Sequence, residues 1–265
     1  VNEGAARGPV EGLLLDMDGV LTVSWKPIDR ALETMALLRK RSVPFRIMTN
    51  TTSHSRANLS AELHGAGFDV TPEEILTAPA ATAGYLRAHH AGARVYLLGE
   101  TGVAQDLEGV TLVDDEPADV VVIGGADEAF TFHTMNKAFR MLRDGAAMVA
   151  MHRNFSWLTD EGLCLDAGAY VVGLEAATGL TAAITGKPSP DFFGSGLEAL
   201  GLPPERVAMV GDDLHNDVLA AQSIGMTGVL TRTGKFRQDD LDRSEGRPDQ
   251  VVDSIADVPA ALGLA

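Results

Sequence analysis

The chain has 265 residues, 45% hydrophobic and 22% charged, the balance of an ordinary globular fold, which excludes a disordered or fibrous chain. Its 21 Lys and Arg against 37 Asp and Glu leave a net charge of −16, a field that repels nucleic-acid backbones and anionic membrane surfaces. No apolar run approaches the roughly 20 residues of a bilayer span, and a phosphorylated ligand would need a local cation or metal to reverse the global sign.

The first residues, Val1-Asn2-Glu3-Gly4, show no basic start followed by an apolar stretch, so no secretory signal is expected. Gly12 to Leu15 is continuously apolar and reads as a central strand ending at Asp16. Pro27 to Arg41 carries Ile28, Ala31, Leu32, Met35 and Leu38 at helical spacing. Val43 to Met48 is the next strand, followed by a helix over Ser55 to Gly65. Further strands are expected at Arg94 to Leu98, Val120 to Gly124 and Met148 to Met151, with a helix over Thr131 to Leu142. Cys164 lies in an apolar strand-like run and reads as a buried packing residue. It is the only cysteine, so no internal disulfide can form, which fits a reducing, cytoplasmic setting. Arg206 to Val210 is a strand ending at Gly211-Asp212-Asp213. A helix over Asp217 to Ile224, a strand over Thr227 to Leu230, and Val251 to Leu262 close the chain.

This alternation at both ends is the signature of an α/β fold with a doubly wound parallel sheet. The middle has its own alternation, flanked by Pro79 and by Gly179 to Gly186, and reads as an inserted α/β domain. Residues 1–78 and 181–265 would then form the core, and 79–180 the insert. The seven histidines show no metal-binding spacing, and with no Cys-x-x-Cys a structural zinc site is excluded.

Polar residues recur at the carboxyl ends of the apolar strands, where ligands bind in doubly wound sheets. Asp16-Met17-Asp18-Gly19 puts two acids on one side of an extended segment, with a glycine for the turn. Two such anions call for a cation, and a hard divalent ion such as Mg²⁺ suits them; a plain Asp/Gly turn is the other reading. Thr49-Asn50-Thr51-Thr52-Ser53 makes an anion cradle or an ordinary helix cap. Lys187, between Gly186 and Pro188, is either a fixed charge for a phosphate or a solvated surface lysine. In Gly211-Asp212-Asp213-Leu214-His215-Asn216-Asp217 three acids enter a helix, more than capping needs.

In this order the four segments resemble the motifs of the haloacid dehalogenase (HAD) superfamily. The insert between Thr49 and Lys187 looks like the type 2 cap of NagD-type phosphatases, which implies a Rossmann-like core with a C2 cap. Gly186 to Phe193, Gly211-Asp212-Asp213 and Thr233-Gly234-Lys235-Phe236-Arg237 look most like the phospholysine phosphohistidine inorganic pyrophosphate phosphatase branch. One departure is His152-Arg153-Asn154-Phe155-Ser156, where NagD-like caps usually carry Asn-Pro-Asp.

The resemblance implies a Mg²⁺-dependent phosphatase acting on small phosphorylated metabolites through an aspartyl-phosphate. Asp16 would be the nucleophile and Asp18 the general acid and base. Asp16, the Asp18 carbonyl and Asp212 would hold Mg²⁺; Thr49, Asn50 and Lys187 would bind phosphate. Asp213 and Asp217 would orient Lys187 or metal-bound waters. In the cap, Gly124 to Asp127 and His152 to Asn154 are the candidates to face the substrate, with Asn154 a candidate contact and Arg153 reading either as a grip on a substrate anion or as a rim charge. Trp25 would stack on substrate or pack. Homodimerisation through the cap is implied, and no nucleic-acid or membrane partner is expected. A phosphotransferase of the same fold and a receiver-like phosphorylation switch are the alternative readings.

Overall fold

The computed structural model describes residues 9–115, 117–126, 128–159 and 162–264. The chain divides into two compact units, one of residues 1–49, 60–76 and 190–265, the other of 50–59 and 77–189.

The first strand, β1 (Gly12–Leu15), is followed by a short hairpin of β2 (Thr22–Val23) and β3 (Lys26–Pro27). Ser24 and Trp25, both at positive φ (47° and 63°), form its two-residue turn. Helix α1 (Ala31–Lys40) therefore begins after the hairpin rather than at Pro27, and Pro27 occupies an exposed strand edge. Strand β4 (Phe45–Thr49), helix α2 (Arg56–Gly65) and strand β5 (Ile75–Thr77) follow. The middle of the chain runs α3 (Ala78–His89), β6 (Arg94–Leu98), β7 (Thr111–Leu112), β8 (Val120–Ile123), α4 (Phe132–Arg143) and β9 (Ala147–Ala150). It continues through the antiparallel hairpin β10 (Ser156–Thr159) and β11 (Gly162–Leu165) to α5 (Ala167–Thr178) and β12 (Ala183–Ile184). The last segment is α6 (Pro190–Leu200), β13 (Val207–Gly211), a π-helical turn (Leu214–Leu219), α7 (Ala220–Ser223) and β14 (Thr227–Thr231), then α8 (Gln238–Arg243), β15 (Gln250–Val252) and α9 (Val258–Ala261).

The first unit is built on a six-stranded sheet in the order β15-β14-β13-β1-β4-β5. β1 is parallel to both β13 and β4, with Leu15 opposite Val210 on one side and Ile47 on the other. Leu13, Leu14 and Leu15 are fully buried, which explains their unbroken apolar run: a strand covered on both faces has no polar side. The order reverses at β1, since β4 lies on one side and β13 on the other. The carboxyl ends of these two neighbours and of β1 thus flank a topological switch point.

The second unit holds a five-stranded parallel sheet, β12-β9-β8-β6-β7. Alternate residues serve its two faces. Tyr96, Leu98, Val121, Ile123 and Met148 pack against α4 and α5, while Val95, Val120, Val122 and Val149 pack against α3. Cys164 is half-buried opposite Trp157 in the β10–β11 hairpin, not a core residue, because a two-stranded hairpin cannot bury its own side chains. Among the described residues no helix is long and apolar enough to cross a membrane.

Candidate active site

Three adjacent strands of the first unit deliver the polar residues. Asp16 follows β1, Asp212 follows β13 and Thr49 ends β4, and all three are buried. The Asp16 main-chain N–H donates to the Val210 carbonyl (2.9 Å), extending the β1–β13 pairing to the acid itself, and its Oδ1 accepts the Met17 N–H (2.8 Å). Asp18 is exposed, two residues further on.

The Asp212 carboxylate lies between two glycines. A Cβ added to Gly19 (φ 88°) or to Gly234 (φ 58°) would sit 2.0 Å from Asp212 Oδ2. Only hydrogen at these positions lets both loops close on the acid. The Lys235 N–H donates to the same oxygen at 2.6 Å, and Thr233 Oγ1 donates to the Gly19 carbonyl at 2.5 Å. The loop after β14 is therefore fastened to both the β1 loop and Asp212.

Asp213 caps the π-helical turn: its Oδ1 accepts N–H bonds from His215 (3.0 Å) and Asn216 (2.9 Å), and its Oδ2 accepts the Asn216 side-chain amide (2.9 Å). Burial would raise its pKa, but the Asn216 N–H, the Lys235 charge and the remaining hydrogen bonds outweigh that and hold it below the usual carboxylate range. Asp217 is expected from sequence in a regular helix. Instead it sits in the wide π-helical turn, its Oδ2 accepting the Asp213 N–H at 3.2 Å. A Cβ on Gly211 would lie 2.3 Å from the Asp217 Cβ, so the glycine admits this inward turn.

Asp16, Asp212 and Asp217 each offer a carboxylate oxygen, these atoms lie within 4.8 Å of one another, and all three residues are buried. Such a hard-oxygen set fits a divalent cation of the Mg²⁺ type. The sequence reading assigned Asp217 an outer, orienting place; the structure puts its carboxylate beside the other two. Lys235 faces the same acids. Burial would push its ammonium down, but the charges of Asp212, Asp16, Asp213 and Asp217 outweigh burial and hold it above the usual lysine range.

In the second unit, Asn50 is tied to Lys187. Asn50 Nδ2 donates to the Lys187 carbonyl (2.9 Å), and Asn50 Oδ1 accepts the Lys187 N–H (2.8 Å). Both ends of the Asn50 amide are thus engaged by the lysine main chain. Lys187 is buried, and a Cβ on Gly186 would meet the Met151 carbonyl at 2.4 Å. Arg153 pairs with Glu175 of α5. The Asn154 N–H donates to His152 Nδ1 (3.3 Å), leaving the Nε2 proton toward Asp166, whose Oδ1 is 3.8 Å away. Gly125 packs on Thr52, and Asp127 lies outside the described residues.

Sequence reasoning gave no role to the Thr233-Gly234-Lys235 loop, although the signal was present. It follows an apolar strand directly, as Asp16, Thr49 and Asp212 do.

With this geometry in view, the likenesses to known proteins are consistent. The haloacid dehalogenase-like hydrolase family matches residues 13–113, and a HAD-hydrolase-like family matches 184–258. The human phospholysine phosphohistidine inorganic pyrophosphate phosphatase is 37% identical over 260 residues, covering 96% of this chain and 94% of the relative. NagD from E. coli K-12 superposes with a TM-score of 0.83 at 27% identity, covering 94% of this chain and 98% of NagD. A glycerol phosphate phosphatase from Mycobacterium tuberculosis, solved in complex with magnesium, gives 0.84 at 26% identity, with 94% of this chain and 76% of that one covered. The human relative and the mycobacterial neighbour are named phosphatases, which sets aside the receiver-like switch, and the chain belongs to the haloacid dehalogenase-like hydrolases as a phosphatase of the NagD type (class IIA).

Proposed function

We propose that this phosphatase hydrolyses small phosphorylated metabolites with Mg²⁺, through an aspartyl-phosphate on Asp16. The observation that carries the reading is the buried trio Asp16, Asp212 and Asp217 at the switch point of the sheet, a charge arrangement that requires a cation and leaves one acid as nucleophile.

Asp16 attacks phosphorus as the bond to the leaving oxygen breaks, and Asp18 gives that oxygen its proton. Asp18 then takes a proton from the water that attacks the aspartyl-phosphate, releasing phosphate and restoring Asp16. Its exposure suits a group that exchanges protons in both steps. Asp16, the Asp18 carbonyl and Asp212 would hold Mg²⁺, which when bound would supply positive charge between the anionic nucleophile and the anionic phosphate. The motif match assigns Thr49 and Lys187 to the non-bridging oxygens, with Asn50 fixing the Lys187 backbone.

The relative's name brings phosphoramidates and pyrophosphate into the substrate panel beside phosphomonoesters. A cytoplasmic setting is supported by the single cysteine. Dimerisation through the cap is supported by the β10–β11 hairpin region, where Phe155 (60% exposed), Trp157 (47%) and Leu165 (60%) present apolar surface.

The test is rapid quenching with labelled phosphoester, with and without added acceptor alcohol. Label recovered on Asp16, and phosphate rather than a new ester as product, is the expected result. Asp16→Asn should lower kcat by at least about 1,000-fold with the circular dichroism spectrum unchanged. Label on another side chain, or full turnover after exhaustive chelation, would sink the reading.

A further inference from the structure

Beyond Thr49 the chain enters the second unit, and the polar segment that follows is held along its length by distant residues of that unit. The Asn50 amide grips the Lys187 main chain at 2.9 and 2.8 Å. Thr52 is buried, and a Cβ on Gly125 would overlap its hydroxyl. A Cβ on Gly102 would lie 3.3 Å from the Ser53 carbonyl. The last hold is made by a carboxylate: Asp106 Oδ2 accepts the Arg56 N–H at 2.9 Å, at the first residue of α2.

That bond exceeds what the helix needs. Ser55 already caps α2 locally, its Oγ accepting the Asn58 N–H at 3.3 Å, while its carbonyl accepts the Leu59 N–H at 2.9 Å. An acid at the start of a helix is favourable, but this one comes from 50 residues further along the chain and is only 7% exposed. A buried carboxylate needs partners. The same oxygen accepts the Thr77 hydroxyl at 3.3 Å, and Thr77 Oγ1 in turn caps α3 by accepting the Ala80 N–H at 3.3 Å. The Arg56 guanidinium stands alongside, its Nε 3.6 Å from Asp106 Oδ1, beyond hydrogen-bond reach, so the main-chain N–H carries the directional contact. One carboxylate thus ties together the starts of α2 and α3.

We propose that Asp106 is a positioning residue for phosphate binding: by holding the first N–H of α2 it fixes the far end of the segment from Asn50 to Ser55, and with it the Asn50–Lys187 clamp.

The segment lies between β4 and α2 and belongs to neither, so it has no hydrogen-bond ladder of its own to set its path. Fixing both of its ends removes most of its conformational freedom. Released at Arg56, it would be free to shift at the end away from Asn50. A displacement of about 1 Å in a group that positions substrate lowers the rate by up to about 100-fold. A cap that served only helix stability would leave phosphate affinity untouched in the folded protein.

This inference rests on the reading that Thr49 and Lys187 meet the phosphate oxygens, and the experiment separates the two. Binding of inorganic phosphate to the protein in saturating Mg²⁺ is measured by calorimetry, with thermal melting and kcat/KM for p-nitrophenyl phosphate, for wild type, Asp106→Ala, Arg56→Pro and Thr77→Val. Arg56→Pro deletes the N–H at a helix position that favours proline. Thr77→Val deletes the other hydrogen bond to Asp106 and the α3 cap, and serves as the structural control. Asp106→Ala and Arg56→Pro, folded by circular dichroism at the assay temperature, should each raise the phosphate Kd by about tenfold and lower kcat/KM by about as much. Thr77→Val should lower Tm yet leave the phosphate Kd unchanged. An unchanged Kd in folded Asp106→Ala overturns the proposal, as does an equal rise in Thr77→Val, the mark of a packing role. If Asp106→Ala does not fold, Arg56→Pro carries the test. Failure of both to fold overturns the proposal, because Asp106 would then be a folding element. Lys187→Ala, run alongside, tells the two readings apart. An unmoved Kd there removes the phosphate-binding reading and this inference with it, whereas a raised Kd there beside an unmoved one in Asp106→Ala overturns the inference alone.

Discussion

The side chain of Asn50 meets both polar groups of the Lys187 main chain, so a short polar residue on one segment sets the path of a distant one. Each bond contributes about 1 kcal/mol net, and removing the amide also leaves the partly buried lysine N–H and carbonyl to find other partners. Asn50→Ala should therefore lower kcat/KM by about tenfold to 100-fold, mostly through a misplaced Lys187. A double-mutant cycle checks this. If Asn50 works through the lysine, adding Asn50→Ala to Lys187→Ala should cost little more than Lys187→Ala alone. Full additivity would give Asn50 a separate task.

Helix α5 shows how an element constrains a neighbouring loop. Asp166 caps it by accepting the Ala167 N–H at 2.7 Å, and the Gly168 N–H reaches out to the Asn154 carbonyl at 2.8 Å. The loop after β9 thus lies so close that a Cβ on Gly168 would be 2.5 Å from the Arg153 carbonyl and 2.6 Å from that of Asn154. Alanine is the better helix former by about 1 kcal/mol, yet here overpacking against backbone should win, costing about 1–3 kcal/mol. Gly168→Ala is expected to lower Tm by about 2–9 °C; a melt at or above the wild-type value would show that the loop yields freely. The adjoining hairpin gives a second prediction. Trp157 on β10 is 47% exposed beside Phe155 at 60%, apolar area that a partner surface would cover. Sedimentation at micromolar concentration should show a wild-type dimer that Trp157→Ser weakens. A wild-type monomer would leave the hairpin without that role.

At the scale of the whole molecule, −16 of net charge opposes the approach of any phosphorylated substrate. Screening weakens this field beyond about 8 Å at physiological ionic strength, while the closely spaced buried charges are affected much less. Raising NaCl from about 10 mM to about 150 mM, with Mg²⁺ held saturating, should lower KM for an anionic substrate by a few-fold and leave kcat almost unchanged. A KM that rises over that range would mean that local cations, not the global field, govern encounter.

What the sequence determined by itself was the architecture and the main chemical groups. Unbroken apolar runs such as Leu13-Leu14-Leu15 read as strands covered on both faces, and their carboxyl ends mark the switch point, so Asp16, Thr49 and Asp212 are readable as neighbours from the sequence alone. Periodicity could not show where side chains bond after the turn. It placed Asp217 in a regular helix, whereas its inward bond to the Asp213 N–H needs the wider π-helical path. It ran α1 back to Pro27, because two positive-φ residues without glycine leave no pattern in hydrophobicity. The Asn50–Lys187 clamp and the Thr233-Gly234-Lys235 loop on Asp212 join residues far apart in the chain through hydrogen bonds at fixed distances. Only tertiary structure decides such pairings, since burial is recorded residue by residue in the sequence, while a hydrogen bond belongs to two residues and the geometry that brings them together.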